Sequence, residues 1–307
     1  MARATGQGGL YRAHAPELVG EPATLLHRLK ERAGQDGCVL LGFDFPIGLP
    51  LHYAEGAGVR DFLSLLPQLG RGDWSDFYLP AERPDQVNWR RPFYPLRARQ
   101  KGQARICHLL AGLGLETVND LRRRCELAQA GRRAASPLFW TVGGQQVGKA
   151  AINGWRDVLG PALRSSEMDV AIWPFAGGLF DVLRPGRVVI AETYPAEFYT
   201  HLGVRFVHRP GERSGKRVRQ ARAASAPPLF AWARAARVRL APALQAQLRE
   251  GFGLSADGED RFDAVVGLFG MLNVVLQRRP PGDPTEDDIN KIEGWILGQA
   301  EARAAMQ

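Results

Sequence analysis

Short, continuous apolar runs alternate along the chain with stretches of helical period. Residues 23 to 33 (ATLLHRLKERA) place Leu25, Leu26 and Leu29 on one face and stop before Gly34, which predicts a short amphipathic helix. The run Cys38 to Phe43 (CVLLGF) has strand length and no polar position, as expected of a strand buried on both faces of a parallel or mixed sheet. A second such run, Arg187 to Glu192 (RVVIAE), predicts a second buried strand. Residues 257 to 277 read as a helix with two stripes. Phe262, Val265, Val266 and Phe269 form one, and Asp260, Asp263, Gly267 and Gly270 the other. The glycines of the second stripe would let the helix backbone approach the sheet, turning Asp263 inward. Strand-like pieces are expected around Gly9 to His14 and Leu18 to Val19, and nothing before Gly9 reads as a strand with an acid. Between about 51 and 185 the helical segments are broken by Pro and Gly, which predicts a large, mainly helical insertion.

Composition narrows the class. With 307 residues, 45% of them hydrophobic and 23% charged, the chain can bury a core, and disorder as the main state is excluded. The order of elements predicts one α/β domain, its core from about 1–50 and 186–307 and its helical insertion from about 51–185. Lys plus Arg number 40 against 32 Asp plus Glu, so the net charge of +8 permits a phosphate-bearing partner without requiring one. No window approaches the roughly 18 consecutive apolar residues of a membrane helix. The first thirty residues lack a secretory apolar region, and Cys38, Cys107 and Cys125 are odd in number and not in CxxC spacing. A reducing cytoplasm is the expected location.

Both predicted strands end in acids, Asp44 and Glu192, and the last helix carries Asp260 and Asp263. Ligands of α/β sheets gather at the carboxyl ends of strands, so acids there can converge. Clustered carboxylates repel unless neutralised, and hard oxygen donors suit Mg²⁺ or Mn²⁺. Two such ions about 3.5 to 4 Å apart are the machinery of phosphodiester hydrolysis. Structural explanations stand beside this one. Asp44 before Phe45 and Pro46 can cap a turn, Glu192 can cap the following helix, and Asp260 with Asp263 fits an N-cap and N3 pair.

The strings GFDFPIGLP, AETYPAEFY and EDRFDAVVGLFGML resemble, in that order, a family known as domain of unknown function 429, whose members are predicted RNase H-like nucleases. DFYLPAERPDQVNWRRPFYP, VGGQQVGKAAINGW, VAIWPFAG and the Lys216 to Arg222 run also look like stretches of that family, so the resemblance spans about 37 to 275. It implies an RNase H-like mixed sheet flanked by helices, catalytic acids Asp44, Glu192 and Asp263, and metal ligands drawn from these three with Asp260. It further implies phosphate contacts at Lys216 and Arg219. An RNase H-like sheet begins with a strand bearing the first metal-binding Asp; either the start is placed too late or this chain has lost that strand and its ligand, with Glu17 the nearest substitute by position. The rival reading is a noncatalytic nucleic-acid or partner-binding protein of the same fold, and a third is a small-molecule phosphohydrolase.

The insertion holds Trp74, Phe77, Tyr78, Trp89, Phe93 and Tyr94 interleaved with Arg83, Arg90 and Arg91. Such a stretch suits base stacking with backbone contacts from Arg90 and Arg91, or packing of the insertion on the core. Gly143 to Lys149 matches GxxxxGK, but Ala150 stands where a phosphate loop needs Ser or Thr, and a helix start is the favoured reading. The six histidines show no zinc spacing, and the cysteines are expected in the core.

Overall fold

The computed structural model describes residues 1–97, 104–129, 133–143, 146–206, 215–255 and 257–300. The chain is α/β and divides into two compact units. The smaller is Met1–Gly20 with Thr193–Pro281, and the larger is Glu21–Glu192 with Gly282–Gln307. Among the described residues no helix is long and apolar enough to cross a membrane.

The larger unit is built on a three-stranded parallel sheet of β3 (Val39–Phe43), β5 (Val188–Glu192) and β4 (Val170–Ile172), in the order β3-β5-β4. As the central strand, β5 is buried along its whole length. Val188 and Ile190 alternate onto the face that carries the main core. β3, predicted to be fully buried, is half-buried, because it lies at the edge of the sheet. The predicted helix is found at Leu25–Ala33 and ends at Gly34.

Residues 51–185 do not form a lobe of their own. Tyr53, Phe62, Phe77, Phe93, Phe139 and Trp155 share one cluster with Val188, Ile190 and Ile292. Trp155 Nε1 donates to the carbonyl of Pro46 at 2.8 Å, tying the segment to the loop after β3. The segment is also not wholly helical, since it supplies β4, a strand of three residues and too short to show a period. The GxxxxGK match ends in the helix Val147–Gly154, while Gly144 and Gln145 lie outside the described residues.

The smaller unit holds β1 (Ala4–Gln7), β2 (Leu10–Ala13) and β6 (Arg239–Leu240) in the order β1-β2-β6. β1 precedes Gly9 and is paired antiparallel to β2 across the Gly8-Gly9 turn, where both residues have positive φ. Its sequence, ATGQ, is short and largely exposed and carries no acid, so neither alternation nor a terminal carboxylate marked it. No strand forms at Leu18 to Val19.

The long helix begins at Gly258 and runs to Val275, with Asp257 at its N-cap; Asp260 therefore lies in the first turn and not at the cap. Phe262, Val265, Val266 and Phe269 enter the core of this unit as expected. The glycine stripe meets a different neighbour. A Cβ on Gly270 would stand 2.1 Å from Phe198 Cδ2, so the close approach is to the helix Pro195–His201 and not to a sheet.

Candidate functional site

The predicted acids fall into both units. Asp44 and Glu192 belong to the larger, Asp260 and Asp263 to the smaller. In the larger unit the parallel register sets Phe43 opposite Glu192, so Asp44 follows one residue beyond the paired position at the same end of the sheet. Asp44 is exposed, whereas Glu192 is 5% exposed.

Glu192 is held by Arg123, a residue that sequence reasoning did not single out. Arg123 Nη1 donates to Glu192 Oε2 and Nη2 to Oε1, both at 2.7 Å. The Ile47 amide adds a third donor to Oε2 at 2.7 Å. The remaining guanidinium donors are also engaged. Nε and Nη2 reach Glu126 Oε1 at 3.1 and 2.8 Å, and Nη1 reaches the carbonyls of Ile47 and Glu293 at 3.2 and 3.1 Å. Arg123 is wholly buried. Beside it Glu293 accepts from the Arg124 amide at 3.2 Å and stands 3.2 Å from Arg124 Nε in an ion pair. Burial pushes the Glu192 carboxyl above the usual range, a tendency that the two Arg123 bonds oppose without cancelling.

The chain passes so close to itself here that side chains are excluded. Gly48, with φ 135°, would set a Cβ 2.0 Å from the carbonyl oxygen of Glu293. The sequence marked Glu192 through its strand end. Glu126 and Glu293 sit in single-turn helical segments and Arg123 precedes one as its N-cap, with no period to betray them.

In the smaller unit Asp263 is 8% exposed, and both its oxygens are likewise taken. Tyr199 Oη donates to Oδ1 at 2.6 Å, and Lys216 Nζ bonds Oδ2. Lys216 also stands 3.4 Å from Glu259. Burial alone would lower the Lys216 ammonium, but pairing with Asp263 and Glu259 outweighs it and holds the group above its ordinary value. Burial raises the Asp263 carboxyl, with Lys216 and Tyr199 pulling the other way. Asp260 is exposed.

Next to this pair a cavity of about 650 Å³ is lined by Arg217, Arg219, Arg222, Leu254, Ser255 and Glu259. Arg222 is 4% exposed and fixes the cavity's shape, its Nε and Nη2 donating to the carbonyls of Gly251 and Gly253 at 2.9 and 3.1 Å. Arg219 Nε donates to the Glu250 carbonyl at 2.8 Å. Residues 209–214 of the same basic stretch lie outside the described residues.

Arg90 and Arg91 are engaged within the larger unit. The Arg90 guanidinium carbon lies 3.7 Å from the centre of the Trp74 ring, and Arg91 donates to the carbonyls of Leu79 and Pro80 at 2.9 and 3.0 Å. Trp74, Phe77, Tyr78, Phe93 and Tyr94 are buried, so this stretch packs as core. Glu17 stands 3.6 Å from Arg3. Cys125 is buried as expected, whereas Cys38 and Cys107 are exposed.

A divalent ion needs carboxylate lone pairs, and those of Glu192 and Asp263 already accept short bonds from Arg123, Lys216 and the Tyr199 hydroxyl. As arranged, these residues do not fit an Mg²⁺ or Mn²⁺ pair. Among the described residues no group of three or more His, Cys, Asp or Glu could hold a metal ion. Compared with protein-family models, curated proteins and solved structures, the chain matches none.

Proposed function

We propose that the protein binds nucleic acid through its phosphate backbone, using the basic cavity of the smaller unit, and that its two neutralised acids serve the fold. The observation that carries this reading is the cavity of about 650 Å³ with Arg217 and Arg219 in its wall, shaped by the buried Arg222. Guanidinium groups take phosphate oxygens in a fork, and a row of them follows a charged backbone. The net charge of +8 supports the same partner. The resemblance to domain of unknown function 429 supports an RNase H-like fold, and three free cysteines support a reducing cytoplasm.

The test is oligonucleotide binding by fluorescence anisotropy across a salt series. Replacing Arg217 with Ala is expected to weaken binding to all sequences alike and to reduce the salt slope by about 1. An unchanged affinity and slope would remove the cavity from the reading.

A second reading, phosphodiester hydrolysis dependent on Mg²⁺ or Mn²⁺, is favoured by the acids Asp44 and Glu192 at the same end of neighbouring strands. It requires Glu192 to release Arg123. Calorimetric titration with Mn²⁺ separates the two readings, because only the second expects saturable binding that Asp44→Asn abolishes.

A further inference from the structure

A second basic cavity lies in the larger unit, and neither the acids nor the Lys216 to Arg222 segment accounts for it. It measures about 340 Å³, and Arg71, Arg156 and Arg164 enter its wall together with Leu69, Tyr78 and Leu79. The charges do not cancel. Arg156 is matched by Asp157, with bonds of 2.7 and 2.9 Å. Arg164 donates to a neutral acceptor, the Pro67 carbonyl, at 3.3 Å. Among the described residues neither Arg71 nor Arg164 pairs with a carboxylate, which leaves two positive charges facing one concave site.

A second, independent feature is the tyrosine. Tyr78 is 7% exposed, and its hydroxyl is buried without a hydrogen-bond partner among the described residues. Buried hydroxyls are nearly always bonded, so a lone one in the wall of a cavity marks a place for an incoming acceptor. Burial holds the phenol well above its ordinary value, against the opposing pull of Arg164 and Arg156. It therefore stays a donor.

Two unbalanced cations and one unsatisfied donor match a dianion with several acceptor oxygens, which is the chemistry of a phosphate monoester. The volume falls in the range of small-ligand sites, roughly 300 to 1,000 Å³, and exceeds what a bare phosphate fills. Leu69 and Leu79 give the remainder of the wall an apolar character. We propose that this cavity binds a small phosphate monoester, the phosphoryl group on Arg71, Arg164 and the Tyr78 hydroxyl and the organic part against Leu69 and Leu79.

The experiment is calorimetric titration of the full chain with inorganic phosphate, adenosine monophosphate, adenosine and a 5′-phosphorylated oligonucleotide. The monophosphate is expected to bind more tightly than phosphate, and adenosine not at all. Binding by the oligonucleotide that matches the monophosphate and falls with Arg71→Ala would assign the phosphate to a nucleic-acid end rather than to a free small molecule, and would overturn the small-ligand proposal. Arg71→Ala and Arg164→Ala, both at exposed positions, should each weaken the monophosphate roughly tenfold or more. Tyr78→Phe should weaken it by a similar factor without lowering the unfolding midpoint of the free protein, since the hydroxyl it removes has no partner to lose. Arg217→Ala should leave it unchanged, which keeps the outcome separate from that of the nucleic-acid cavity. Equal binding of adenosine and the monophosphate, or affinity indifferent to Arg71, Arg164 and Tyr78, would overturn the proposal.

Discussion

Glu192 and Asp263 are both buried carboxylates with each oxygen bonded to a donor, yet they stand in different settings. The partner of Glu192 is a guanidinium with no exposure, closed in by the backbone of Ile47 and Glu293. The partner of Asp263 is an ammonium whose side chain is 37% exposed and which also reaches Glu259 on the wall of a cavity. A fork sealed from water cannot exchange its partner cheaply, whereas an ammonium beside solvent can turn away. The same signal in the sequence, an acid at a conspicuous place, thus serves a fixed internal joint in one unit and the border of an open basic surface in the other.

The largest effect that would break this contrast is at Arg123. Its replacement by Ala leaves Glu192 and Glu126 buried without their cation, and a loss of about 3 to 5 kcal/mol is expected in urea unfolding. Arg123→Lys keeps the charge but not the fork and should fall between the two. A loss near 1 kcal/mol for the Ala variant would show that water reaches the joint after all.

Asp263→Asn should cost far less, about 1 kcal/mol or below, because Lys216 keeps Glu259 and water. Removing that negative charge next to the arginine-lined cavity should also steepen the salt dependence of oligonucleotide binding. A cost equal to that of Arg123→Ala would erase the difference between the two sites.

The smallest effect concerns pH. Burial, with Arg279 nearby, lowers His201 in the smaller unit from its ordinary 6.5 to about 4. The unfolded chain then takes up the proton first as the pH falls. The contribution of His201 to stability is whole above about pH 6.5 and is lost as the pH drops from there toward 4. Solvent screening of this half-buried ring keeps the effect modest. Thermal unfolding of His201→Asn against pH should show a flatter profile across that window, and an unaltered slope would assign it to other groups.

Much of the scaffold was legible in the chain. The apolar runs at 38 to 43 and 187 to 192 have strand length and no competing period, and they pair in parallel as β3 and β5. Leu25–Ala33 and the stripe of Phe262, Val265, Val266 and Phe269 follow from helical spacing and a glycine stop. Asp44 and Glu192 were placed at strand ends because those runs stop there. The shorter strands β1, β4 and β6 span four, three and two residues, too few for alternation to rise above chance, and form only where a neighbour supplies the ladder.

By itself, then, the sequence determined which segments become buried strand or amphipathic helix, since periodicity and turn residues act locally. Tertiary structure alone decided that residues 51–185 share a core with β3 and β5. It also decided that Gly270 meets Phe198, and that Arg123 lies against Glu192 from 69 residues away. A cation's choice of carboxylate depends on which backbones close around it and exclude water, and no pattern of neighbours along the chain encodes that geometry.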